Sequence, residues 1–305
     1  MIRKPSLSHF AVGACCLVSA AWLTAACRKP AEFVYIDEEE EEETEVVVVD
    51  EEGRESALPE GATIGVYIVD EDGNVSLQQV EVDEDGNAVL PASEGGTVIA
   101  YTPFQEDWGE DAILTSPVFT IADDQSTAAG YNASDLMIGT SGSSTKAGED
   151  AFSFSHMLAK VVVNIIDDIG LSDLGKTRVT LLNVYTRVTV DLLKQQVSTI
   201  QIGQGDILTL LQTATSWRVS CYGIVAPHAM EEGVPFFSVN LFGDTPQTFP
   251  LPQDVTLESG STFTFNLRLT EQGLIPDGWF ITDWDNQEEE EIYTHEEAHL
   301  TAGFV

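Results

Sequence analysis

An all-β chain folded as two tandem sandwich domains is what this sequence predicts, and three observations carry the prediction. Apolar and polar residues alternate over short segments, most regularly in Thr262-Phe263-Thr264-Phe265-Asn266-Leu267-Arg268-Leu269. That is the period of a strand with one face in a core and one in water. The segments are punctuated by turn chemistry such as Asp70-Glu71-Asp72-Gly73-Asn74, repeated as Asp83-Glu84-Asp85-Gly86-Asn87, and Asp-Gly suits a hairpin tip. No stretch of useful length carries the spacing of an amphipathic helix, so sheets must pack on sheets.

The chain has 305 residues, 43% of them apolar, which is enough for a sizeable core and suggests about two domains. Fifty-one acidic residues face thirteen basic ones, a formal charge of −38 that repels phosphate backbones and anionic head groups. No nucleic acid partner is therefore expected. The cysteines are Cys15, Cys16, Cys27 and Cys221, too few and too scattered for a disulfide framework. Cys221 reads as a small buried hydrophobe.

Arg3 and Lys4 precede the apolar run 10–23, and Thr24-Ala25-Ala26 stand directly before Cys27. This is the order of an export signal, residues 1–26, ending at a cysteine that is the expected site of lipid attachment. Acyl chains at Cys27 would tie the chain to a membrane surface without a spanning helix. Residues 27–44 contain seven consecutive acids, Asp37 to Glu43, and form an acidic tether, because like charges so close cannot pack. Calcium is not expected at the two Asp-Gly turns, since Gly73 and Gly86 stand fourth in their runs where an EF-hand loop needs glycine sixth.

The first β domain is placed at 45–150. Its strands are Val46 to Val49, the alternating Ile64 to Val69, Val98 to Tyr101 before Pro103, Val118 to Ile121, and Leu136 to Ile138. The Gly, Ser and Thr-rich stretch from Gly139 to Asp150 reads as a linker. The second domain, 151–287, opens with a single strand across Phe152 to Ile166, whose run Val161-Val162-Val163 favours a pleated surface over a helical turn. Further strands follow in Arg178 to Asp191, Trp217 to Val225, Phe236 to Phe242 with Phe237, Val239 and Leu241 on one face, Thr262 to Leu269, and Trp279 to Trp284. Residues 288–305 form a tail in which Leu300, Ala302 and Phe304 alternate with Thr301, Gly303 and Val305.

One string in the tail has the form of a catalytic motif. His295-Glu296-Glu297-Ala298-His299 fits H-E-x-x-H, in which histidines one helical turn apart hold zinc and the glutamate activates water. No third ligand follows, and Thr301-Ala302-Gly303 does not continue the longer zinc-protease patterns, so the string is read as an acidic tail with two histidines. A glycine-rich phosphate loop, a serine nucleophile elbow and a Cys-x-x-Cys pair are missing as well. The expectation is no enzyme, with no catalytic residue, no metal and no cofactor. His156, beside Phe154, reads as a hydrogen-bonded core residue.

Taken together, several segments in order give the chain a family resemblance. These are the start ending at Cys27, Ile64-Gly65-Val66-Tyr67, Ala100-Tyr101-Thr102-Pro103, Asp135-Leu136-Met137, Phe154-Ser155-His156-Met157-Leu158-Ala159-Lys160, the strand from Phe263 after Ser259-Gly260, and Ile281-Thr282-Asp283-Trp284. In them the chain resembles the fimbrillins, subunits of type V pili in Gram-negative anaerobes. The resemblance implies two transthyretin-like β-sandwiches, export as a lipoprotein to the outer membrane and cell surface, and assembly into a fimbrium. It also implies an arginine-specific processing protease that cuts after the first strand, and other fimbrial subunits, of the same or another kind, as partners in strand exchange. Arg54 is the lone arginine between Arg28 and Arg178, so Arg54 and Glu55 flank the expected cut, and Leu300, Ala302 and Phe304 are the donor-strand candidates. The other reading is a monomeric surface lipoprotein that binds a glycan or host ligand through aromatics such as Trp108, Trp217 or Trp279.

Overall fold

The computed structural model describes residues 43–46, 48–49, 58, 61–82, 88–91, 96–143, 150–170, 174–215, 217–241, 243 and 245–284. Among the described residues almost every element is a strand, as the alternation requires, and the helices are short turns such as Ala112–Thr115 and Ala128–Asn132. The all-β fold class is thus observed.

A six-stranded sheet gathers, in order, Val48–Val49, Asp150–His156, Met137–Ser143, Thr97–Thr102, Thr63–Val69 and Val75–Glu81. Its hairpin Thr63–Val69/Val75–Glu81 closes on the expected Asp-Gly turn. There the Asp70 carboxylate accepts from the backbone and side-chain nitrogens of Asn74, each at 2.7 Å, and Gly73 takes a φ of 82° that suits a residue without a Cβ. A five-stranded sheet runs Leu210–Ala214, Arg218–Val225, Ala159–Asp167, Ser261–Thr270 and Gly273–Asp283. Against it lies a four-stranded sheet of Gly205–Leu208, Arg178–Val184, Pro235–Asn240 and Gln247–Pro250. The two meet through edge-to-face phenylalanines, with Phe237 and Phe265 ring centres 4.8 Å apart and those of Phe236 and Phe263 5.6 Å apart. Neighbours in sequence, Phe236 and Phe237 both reach this core because the ladder slips between Pro235 and Phe237.

The expected strand Phe152 to Ile166 is two strands in two sheets. Asp150–His156 pairs antiparallel with Met137–Ser143, and Ala159–Asp167 pairs with Arg218–Val225 and, in parallel, with Ser261–Thr270. The crossing at Met157-Leu158 is itself buried, its backbone bonded to Leu136 and Gly260. The pairing therefore joins 150–156 to the strands before it, and the glycine-rich linker expected from Gly139 is strand as far as Ser143. Central and flanked on both sides, Ala159–Asp167 is buried almost throughout, which is why its sequence lost its alternation. The alternation of Thr262 to Leu269 overstates exposure. Thr262 and Thr264 are buried, since their rung partners Lys160, Val162 and Phe280 stand taller on that face.

Residues 118–125, expected in the first sandwich, complete sheets of the second half. Val118–Thr120 pairs with Arg187–Asp191, which pairs in turn with Gln196–Thr199. Backbone groups of 123–125 then bond to Leu208. The fully buried Gln125 finishes the work with its side chain: Nε2 donates to the carbonyl of Ile224 at 2.8 Å, and Oε1 accepts from the N–H of Ile224 at 2.8 Å. This occurs where Leu210–Ala214 no longer covers Arg218–Val225, so one amide stands in for a missing strand. The buried residues from Tyr67 to Trp284 form one continuous cluster, and a smaller cluster of Leu58, Ile64, Val66, Val82, Val98, Ala100, Met137 and Phe154 lies on the other face of the six-stranded sheet.

Two predictions follow from these contacts. Gln125→Leu keeps the volume but strands the N–H and C=O of Ile224 in the core, and should cost about 2–6 kcal/mol in chemical unfolding at one to three per orphaned group. His228 is buried, with Nδ1 on the carbonyl of Ala226 at 2.7 Å and Nε2 without a partner. Burial holds its pKa below the ordinary 6.5. A depressed folded value means that its contribution is present above pH 6.5 and lost as the pH falls below it. Between pH 7 and 5.5 the unfolding midpoint should drop in the native chain and drop less in His228→Gln.

Candidate functional site

The first described strands occupy an unusual place. Residues Glu43–Val46 pair with Ala88–Pro91 in a two-stranded sheet, and Val48–Val49 then pairs in parallel with Phe152 and Ser153 at the edge of the six-stranded sheet. This short stretch thus caps two strands that, among the described residues, have no other strand partner on those sides. Four rungs and two rungs hold it, the two being parallel, and parallel rungs are slightly the weaker kind. Beneath this edge lies the smaller apolar cluster with Phe154 and Met137.

A second constellation lies where the chain crosses between sheets. His156 places Nδ1 2.7 Å from Oδ1 of Asp135, and its ring stacks on the indole of Trp284 with centres 4.1 Å apart and planes within 10°. The ammonium of the buried Lys160 lies 4.8 Å from the centre of the Tyr222 ring and 5.5 Å from that of Trp284. Burial raises the pKa of the Tyr131 phenol nearby, and the Asp135 carboxylate adds to it. A third contact explains two more of the segments singled out in the sequence. Gly65 faces Tyr101 across the sheet, and a Cβ on Gly65 would sit 2.2 Å from that ring, so only glycine leaves the tyrosine its place beside Tyr67 and Trp108.

His156 is the hydrogen-bonded residue that its sequence context suggested, although its partner lies 21 positions away and the pairing has no local signal. Cys221 is fully buried, and burial pushes its thiol up to about 12, so it is not a nucleophile. Of the three tryptophans weighed as a binding platform, Trp108 is 3% exposed, Trp279 is partly buried and packed on Phe263, and Trp217 is 47% exposed. They do not converge. Cys27, Arg54, Glu55, Leu300, Ala302 and Phe304, with the His295 to His299 string, lie outside the described residues. Sequence reasoning missed Gln125 and the Asp135–His156–Trp284 stack, which depend on contacts across 99 and 128 positions that only the fold creates.

The chain belongs to the fimbrillin-like family, whose model matches residues 53–284. It is accordingly a fimbrial or adhesin-like subunit of the cell surface, and the family is structural and adhesive, not enzymatic. Among solved structures the fold is similar to a candidate cell adhesion protein from Bacteroides ovatus, at a TM-score of 0.60 and 15% identity, covering 79% of this chain and 96% of that one. A second, from Bacteroides uniformis, gives 0.56 and 22% over 79% and 98% of the two chains. The tip fimbrial protein Mfa3 from Porphyromonas gingivalis, with C-terminal truncation, gives 0.48 and 11% over 79% and 100%. No curated protein matches the chain.

Proposed function

We propose that this protein is a subunit of a fimbrium that is exported as a lipoprotein and joined to its neighbours by exchange of strands. Acyl chains on Cys27 hold the precursor at the outer membrane. An arginine-specific protease then cuts between Arg54 and Glu55, and the segment ahead of the cut leaves, taking with it the acid run Asp37 to Glu43 and its like-charge repulsion. The tail of another subunit fills the vacated place, with Leu300, Ala302 and Phe304 pointing inward at strand spacing.

The observation that carries this reading is the double pairing of Glu43–Val49. Removing that one segment strips the partner from Ala88–Pro91 and from the outer side of Asp150–His156 together. Unpaired backbone groups beside an apolar cluster are a template for an incoming strand, which gains main-chain bonds along its length and buries alternate side chains. The position of Arg54 supports the same order of events, since it follows the segment in sequence and precedes the next strand, Thr63–Val69.

Protein collected from the cell surface should run as high-mass ladders that collapse on heating. Deleting residues 292–305 should leave a folded monomer and no ladder. Arg54→Gln should retain the first strand and also give no ladder. Ladders that persist in both variants would refute strand exchange through these segments.

A further inference from the structure

The last described strand, Gly273–Asp283, is an edge strand: among the described residues its one ladder partner is Ser261–Thr270, and the Leu274 carbonyl near its start also accepts from Nε2 of Gln247 at 3.0 Å. The tail begins directly beyond Trp284, so a pull on the tail arrives first at the exposed end of an edge strand. Such a strand can open one rung at a time from its end, the least costly mode of local unfolding. What stands at that end is the stack described above. Trp284 is 5% exposed, and its N–H donates to the carbonyl of Gly260 at 2.7 Å. Its indole lies flat on His156, the last residue of Asp150–His156, and under the ammonium of Lys160, the second residue of Ala159–Asp167. His156 in turn holds Asp135, just ahead of Met137–Ser143.

We propose that the Asp135–His156–Trp284–Lys160 stack is a mechanical anchor for the root of the tail. Tension entering at Trp284 passes through these side chains into three strands of two different sheets, in place of opening the rungs of Gly273–Asp283. The inference rests on the reading that the tail links one subunit to the next and therefore carries load. It accounts for why residues so far apart in sequence, Asp135, His156, Lys160 and Trp284, meet at one point, and why that point is where the described residues end and the tail begins.

The test is single-molecule force measurement on the monomeric full chain, pulled between an added C-terminal handle and a cysteine introduced at the exposed Lys194. The native chain should show no release before its main unfolding event. Trp284→Ala should show an early step at less than half that force, releasing about 4 nm of chain, the extended length of eleven residues at ~3.6 Å each. His156→Ala keeps the indole and its main-chain bond to Gly260, and carries the same test should the tryptophan variant fail to fold. A first event unchanged in force and length in the folded variants would overturn the anchor. The reading of the tail as donor is judged separately, because ladders that survive tail deletion would refute that role while leaving a measured anchor in place.

Discussion

Every strand in a sheet has two sides, and each side presents N–H and C=O groups that must find partners or water. This protein is organised by how it meets that demand at the ends of its sheets. Segments are lent across the chain. Val118–Thr120 and residues 123–125 close edges among strands that come some 60 to 90 positions later, and the amide of Gln125 supplies the last two bonds in place of a strand. Glu43–Val46 and Val48–Val49 do the same for two further edges at once. A polypeptide built on lending strands within itself needs little change to lend one to a neighbour, since the bonding pattern is the same in either case.

The coupling between the halves follows from the same habit. Because 118–125 enters the later sheets and Asp150–His156 stays with the earlier ones, the main core runs without interruption from Tyr67 to Trp284. The crossing at Met157-Leu158 lies inside this core, with the His156–Trp284 stack beside it. The segments that carried the family resemblance are therefore not scattered. Gly65 and Tyr101 form one contact, and Asp135, His156, Lys160 and Trp284 form another.

Strands with strict alternation or clear punctuation could be read directly. Ile64 to Val69 with its Asp-Gly turn, Val98 to Tyr101 and Trp217 to Val225 fall where the pattern placed them, because local side-chain period and turn chemistry decide them. What the sequence hid was partnership. A continuous apolar run from Phe152 to Ile166 has the same letters whether it crosses one sheet or steps from one to another, and Val118 to Ile121 carries no mark of the half it joins. The bulge that turns Phe236 inward is equally silent, since it arises from a slip in the ladder with Gln247–Pro250. Of the candidate site, the first strand and Arg54 were legible as a strand and a basic residue after it, while the double pairing that gives the strand its importance depends on Ala88–Pro91 and Asp150–His156 lying side by side in space.

The central claim is that Glu43–Val49 fills places in two sheets that another subunit later occupies. Hydrogen exchange read at the amides of residues 88–90 and of Asp150–His156 addresses it directly, in the intact monomer, in the monomer cut after Arg54, and in the assembled fibre. Slow exchange in the first, fast exchange at both strands in the second and slow exchange again in the third is the expected sequence. Protection at both strands that survives the loss of residues 43–49 in the free monomer would contradict it.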